Sequence, residues 1–144
     1  MHLDSAGLEV LTPSDCLTLA RTVPIGRIVF TEQALPAVQP VGFVIDDGCV
    51  IIRTAEGTKL AEALRSAIVA FEVDDFDAQT EAGWSVTVVG HAESVLDPEE
   101  AARLSRLPLR VWAPGRRHLF IRIRPEYMTG RRIRSQLNSA GAGD

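Results

Sequence analysis

The sequence predicts a mainly β domain, an antiparallel barrel of six to seven strands with a few short helices. Three observations carry this. Runs of β-branched and aromatic residues recur at hairpin-like spacing, the stretches between them that read as helix are short, and strands do not alternate with long helices as a doubly wound α/β sheet requires. At 144 residues, with 46% hydrophobic and 24% charged, the chain is long enough to bury a core of its own and needs no disulfide or metal staple. We read residues 1–134 as that single domain and 135–144 as a frayed tail.

In chain order, TPSDCLTLARTV offers Thr12 or Ser14 as an N-cap, with Cys16, Leu17 and Ala20 at helical spacing, and predicts a short opening helix. GRIVFTEQ is rich in β-formers and PAVQPVGFVID is a longer extended run. Asp46-Asp47-Gly48 is a hairpin signal into CVIIRTA, which makes a meander of three strands. Beyond Gly57, KLAEALRS sets Leu60, Ala63, Leu64 and Ala67 on one face and predicts a helix of two or three turns. IVAFEVDD, the polar loop DAQTEAG and the long alternating WSVTVVGHAESV read as strand, loop and strand. Asp97 caps the next helix with Pro98 at its first position, and PEEAARLSRL carries acids early and arginines late, as the helix dipole favours. PLRVWAPGRR is a turn-rich loop, HLFIRIRP alternates Leu119, Ile121 and Ile123 with polar neighbours, and YMTGRRIR is a last strand.

The net charge of −4 is unevenly spread: ten of the fourteen arginines fall between Arg103 and Arg134, where Glu126 is the only acid. The acids gather in EVDDFDAQTE and LDPEE. A basic face of this kind raises a nucleic-acid reading. The acidic total, the absence of an RNP or helix-turn-helix signature, and the solvated alternation of FIRIR all count against it. No basic segment precedes a long apolar core, and no window approaches the ~18 apolar residues of a membrane span, so a cytoplasmic chain with no membrane partner is expected. Cys16 and Cys49 are isolated and read as small buried hydrophobes; His2, His91 and His118 are too scattered for a metal cluster, and His91 reads as solvent-facing.

The stretch RTAEGTKL holds the only lysine of the chain. A strand ends at Arg53, Gly57 permits a tight turn, and Thr58 stands at a helix start, where free N–H groups, Arg53 and Lys59 suit a small anion such as phosphate. A capping Thr58 beside a solvated Lys59 accounts for the same residues without a ligand.

Taken in order, PAVQPVGFVIDDGCVIIRTAEGTKL, AFEVDD and GWSVTVVGHAE resemble the flavin-binding split β-barrel of the pyridoxamine 5'-phosphate oxidase-like proteins. There a strand pair runs into a Thr-x-x-Gly-Ser/Thr-Lys/Arg turn that grips the FMN phosphate, matched here by Thr54, Gly57, Thr58 and Lys59. A later strand ending Val-x-Gly-x-Ala-Glu lies against the isoalloxazine, matched by Val86, Val88, Gly90, Ala92 and Glu93. The resemblance spans roughly Gly26 to Val95, and more loosely reaches Arg132.

It implies Gln39, Pro40 and Val41 along the isoalloxazine, Arg53 and Thr54 beside the ribityl phosphate, and Thr58 and Lys59 on the phosphate. Ser85 occupies the position of a flavin-contacting glutamine, and Trp84 stands beside it. Trp112 and Arg131 would be supplied across a homodimer, because the family builds its cofactor sites between two subunits. Core or interface packing accounts for both tryptophans without a flavin, since each buries a large apolar area wherever it sits. The implied activity is flavin-dependent hydride transfer to or from a small organic substrate. The ending GRRIRSQLN lacks the arginine and histidine segment that binds pyridoxamine phosphate in the oxidase, which implies another substrate. Within the wider group, F420 (deazaflavin)-dependent reductases and non-catalytic flavin or heme carriers are the alternatives.

Overall fold

The computed structural model describes residues 2–55, 57–109 and 119–135. The expected tail from 136 onward and Trp112 lie outside the described residues. In order run β1 (His2–Leu3), β2 (Glu9–Val10), α1 (Pro13–Ala20), β3 (Ile25–Glu32), β4 (Leu35–Gly42), β5 (Val44–Asp46), β6 (Cys49–Thr54), α2 (Lys59–Leu64), β7 (Ile68–Asp77), β8 (Ala82–Ser94), α3 (Pro98–Leu104), β9 (Leu119–Ile123) and β10 (Tyr127–Ile133). Every strand pairing is antiparallel.

Closure rests on one strand that changes partner. β4 pairs with β3 and β5 pairs with β6, yet only Phe43 separates β4 from β5. From β6 the hydrogen-bonded path continues through β9, β8 and β7 back to β3, which closes the barrel. β9 and β10 make a second change of direction along β8: Ile123 faces Ala92, Tyr127 faces Val89, and Glu126 N donates to Val89 O at 2.9 Å. The expected six to seven strands are the barrel strands, with β4 and β5 read as one, plus β10. The sequence reading did not include β1 and β2, two-residue strands that β10 organises at its outer edge.

Alternation does the core-building. Ile28, Phe71, Val73, Val86, Val50, Ile52 and Ile123 turn inward and are essentially inaccessible, and Phe43 meets Phe71 edge-on at 4.9 Å between ring centroids. Leu60 and Leu64 of α2 join that core. A second cluster, Cys49, Ile51, Leu104 and Phe120, lies on the opposite face of β6 and β9 under α3. Arg103 pins α3 to the barrel by bonding Asp46 and Glu100, and Arg122 also bonds Glu100. Both cysteines are buried and free, as expected.

The predicted caps form. Thr12 Oγ1 accepts from Asp15 N at 3.1 Å, Thr58 Oγ1 from Ala61 N at 3.1 Å, and an Asp97 carboxylate oxygen from Glu99 N at 3.2 Å. α2 is shorter than the expected two or three turns, at six residues, because Arg65 turns extended and Ser66 takes φ 52°. Asp47 (φ 51°) and Gly48 (φ 74°) make the anticipated hairpin turn with positive φ at both central residues.

Candidate functional site

The turn from β6 into α2 is built from a strand end and a short cap. On β6, Val50, Ile52 and Thr54 face the barrel interior, so Arg53 leaves on the opposite face, where its guanidinium lies 4.8 Å from the centre of the Phe120 ring. Its Nε is buried with no hydrogen-bond partner among the described residues. Thr54 is buried, and its hydroxyl oxygen has a long contact of 3.4 Å with that of Thr58. Thr58 donates to Ala55 O at 2.9 Å while accepting the Ala61 N–H. Lys59 is exposed, makes no ion pair among the described residues, and lines an open cleft of about 330 Å3 with Thr31, Glu32, Gln33 and Glu62.

Two features near this turn carry positive charge. A buried N–H donor left unpaired is rare enough to require an explanation, and Arg53 Nε is one among the described residues, on the face of β6 opposite Thr54. Lys59 adds a charge with no ion pair among the described residues, in a cleft it shares with Glu32 and Glu62. α2, at six residues, contributes little dipole, so side chains supply the positive charge and the orientation.

Gln39, Pro40 and Val41 lie on β4, which pairs only with β3 among the described strands. Gln39 and Pro40 are exposed and Val41 packs on the core. Pro36 and Pro40 remove two N–H groups from this strand, a feature of sheet edges.

Trp84, Ser85 and Arg131 sit elsewhere. Ser85 pairs with Asp74 on one side and Arg131 on the other. Through the Glu72–Thr87 and Arg27–Glu72 pairs this row lies level with the start of β3, whereas Lys59 shares its cleft with Thr31 and Glu32 at the end of β3. Six strand residues at ~3.3 Å each separate the two groups by roughly 20 Å. One chain therefore does not bring Ser85 and Arg131 to Thr58 and Lys59. Arg131 is held by Asp4, Nε to Oδ2 at 2.9 Å, and Trp84 is buried in the core at 8% exposure.

The motif strand is largely structural. Val86, Val88 and Ala92 point into the core, leaving Ser85, Thr87 and Val89 on the outer face. Gly90 has its own reason: a Cβ there would stand 1.9 Å from Arg124 O, where the chain crosses from β9 to β10. His91 is solvent-facing, as expected, and bonds Glu126.

On the outer face beside Ser85, Arg27 Nη1 lies 3.4 Å from Glu72 and 3.3 Å from Asp74. Burial, and then the neighbouring Asp74, push the Glu72 carboxyl up to about 7. The folded state holds this proton more tightly than the unfolded chain does. The ionised form therefore opposes folding, and stability falls as pH rises from about 4.5 through 7. Glu72→Gln is expected to melt higher than the parent above about pH 7 and to lose that advantage below about pH 4.5, measured by thermal denaturation across the window.

The sequence reading missed a cleft of about 370 Å3 beside Phe43, bounded by Arg21–Pro24, Phe43–Ile45, Leu107 and Pro108. Its only signal was an apolar GFVI following QPV. The described residues contain no group of histidine, cysteine and acid side chains able to hold a metal ion, and no helix among them is long and apolar enough to cross a membrane.

Comparison with known proteins places these features in a family. The sequence pattern of the pyridoxamine 5'-phosphate oxidase family matches residues 12–132. An uncharacterised protein of Mycobacterium tuberculosis is 42% identical over 128 residues, covering 85% of this chain and 84% of the relative. Among solved structures, the FAD binding protein from Mycobacterium smegmatis is 39% identical with a TM-score of 0.76, covering 87% of this chain and 98% of that one. A Corynebacterium diphtheriae protein of unknown function is 34% identical with a TM-score of 0.72, covering 86% and 96%.

Proposed function

The chain belongs to the pyridoxamine 5'-phosphate oxidase family, and from that premise we propose that it is a flavin-binding oxidoreductase whose cofactor phosphate is held at the Thr54–Lys59 turn. The observation that carries this reading is the turn itself, where the Thr54 and Thr58 hydroxyls meet and exposed Lys59 makes no ion pair among the described residues. Thr54 and Thr58 offer hydroxyls, and Arg53 and Lys59 offer charge, to the 5'-phosphate that FMN and FAD share. Gln39, Pro40 and Val41 of the free-edged β4 line the ring. FMN is the form the turn motif suggests; the name of the M. smegmatis relative favours FAD.

The cofactor supplies the hydride transfer when bound, so the chain needs no acid–base dyad of its own. Its residues bind, orient and exclude water. The family resemblance supplies Arg131 across two subunits, and on that reading the working unit is a homodimer, with Ser85 and Arg131 toward the ring and not the phosphate turn. Asp4 fixes the Arg131 guanidinium for that role. The substrate is a small organic molecule other than pyridoxamine phosphate.

Native mass spectrometry of the purified protein tests all of this at once. The expected particle contains two chains and two flavins, and the released cofactor mass separates FMN from FAD. A particle that carries no flavin, and takes up neither form when offered, overturns the reading.

A further inference from the structure

The barrel wall has a gap where β4 becomes β5. Phe43 donates its N–H to Pro24 O at 3.3 Å, and beyond that bond the strand leaves β3 to pair with β6. The cleft of about 370 Å3 fills this gap. Ala20 and Ile45 line both the cleft and a small void inside the barrel, so the cleft reaches the core. Its volume falls at the lower end of the range of ligand pockets, which suits one or two rings.

The lining states what those rings carry. Val23, Phe43, Val44, Ile45 and Leu107 form apolar walls, and no carboxylate stands among the lining residues. Of the two polar side chains, Thr22 donates its hydroxyl to Leu19 O at 2.6 Å. That leaves Arg21, which makes no ion pair among the described residues, as the one side-chain donor the described lining offers. Against the described lining, a doubly charged phosphate would give up its hydration for a single opposite charge. A carbonyl or carboxylate needs no more than the one donor present.

Position links the cleft to the ring. Val44 follows Val41 by three strand residues, about 10 Å, so a molecule in the cleft lies at the end of the strand assigned to the isoalloxazine. Resting on the flavin reading above, we propose that this cleft is the substrate site. Its ligand is a flat, apolar one- or two-ring compound with a single carbonyl or carboxylate turned to Arg21, and not a phosphate ester.

Three probes sharing one ring system test this: 2-acetonaphthone, 2-naphthoate and 1-naphthyl phosphate, titrated calorimetrically into the full chain while flavin absorbance per subunit is read on the same samples. The ketone and the carboxylate are expected to bind saturably, and the phosphate at least about tenfold more weakly. Val44→Trp, which fills the cleft, is expected to weaken both binders about tenfold or more with flavin content unchanged. Leu107→Trp fills it from another wall should the first variant misfold. Arg21→Gln is expected to weaken 2-naphthoate about tenfold. Preferential binding of the phosphate, or probes indifferent to both tryptophan variants, overturns the assignment even if the protein is fully flavin-loaded. Probe binding that the tryptophans block in a chain that takes up no flavin leaves the cleft site standing and removes the flavin reading.

Discussion

A Thr58→Ala/Lys59→Ala double variant is expected to leave a desalting column without its flavin. Each charge-assisted hydrogen bond to a phosphate is worth about 1.5–3 kcal/mol, and each 1.4 kcal/mol is tenfold in affinity, so losing both groups should weaken binding by at least about 100-fold. Thr58 also caps α2, and removing a cap costs about 1 kcal/mol of stability. A melting curve must therefore accompany the absorbance spectrum. Thr58→Ser and Lys59→Arg separate the two effects, since each keeps a hydroxyl or a charge in place and should retain flavin. A double variant that stays folded and fully yellow would show that the phosphate is held somewhere else.

The largest expected effect on stability comes from Gly90→Ala. The added methyl would stand 1.9 Å from Arg124 O and 3.1 Å from Arg124 C, and both are backbone atoms that no rotamer change can move aside. The crossover from β9 to β10 must shift, together with the Glu126 N–H bond to Val89 O. We expect a loss above about 3 kcal/mol, beyond ordinary overpacking, and a melting temperature lower by about 10 °C or more. Gly7→Ala is the control: space there is open, and the positive φ of 82° alone should cost about 1 kcal/mol. Similar losses in the two variants would mean that crowding at Arg124 does not decide the fold.

The elements legible in the sequence were those with a local chemical cause. Thr12, Thr58 and Asp97 cap the helices they were expected to cap, and Asp47-Gly48 turns the hairpin it was expected to turn. The β3–β4 hairpin turns just as tightly through Gln33 (φ 50°) and Ala34 (φ 66°), with neither glycine nor asparagine, so tertiary pairing imposes a conformation that those side chains do not favour. β1 and β2 were missed because two residues carry no period, and only β10, far along the chain, gives them a partner.

The site divides in the same way. The turn residues Thr54 to Lys59 are contiguous, and spacing reveals them. Trp84 was a candidate by adjacency to Ser85, but strand alternation turns it into the core. Gly90 was visible as a motif letter, while its cause, the passage of Arg124 overhead, belongs to the topology. The cleft beside Phe43 joins residues near 21, 44 and 107, a convergence that no local pattern encodes.

The tie between Asp4 and Arg131 joins positions 127 apart, and β2 finds its only neighbour besides β1, among the described strands, in β10. During synthesis the β1–β2 pair must therefore wait for its outer neighbour until β10, far along the chain, has emerged. The meander of β3 to β6 can assemble in the meantime, so the β1–β2 pair is a late seam, and limited proteolysis of nascent or freshly diluted chains should cut there first.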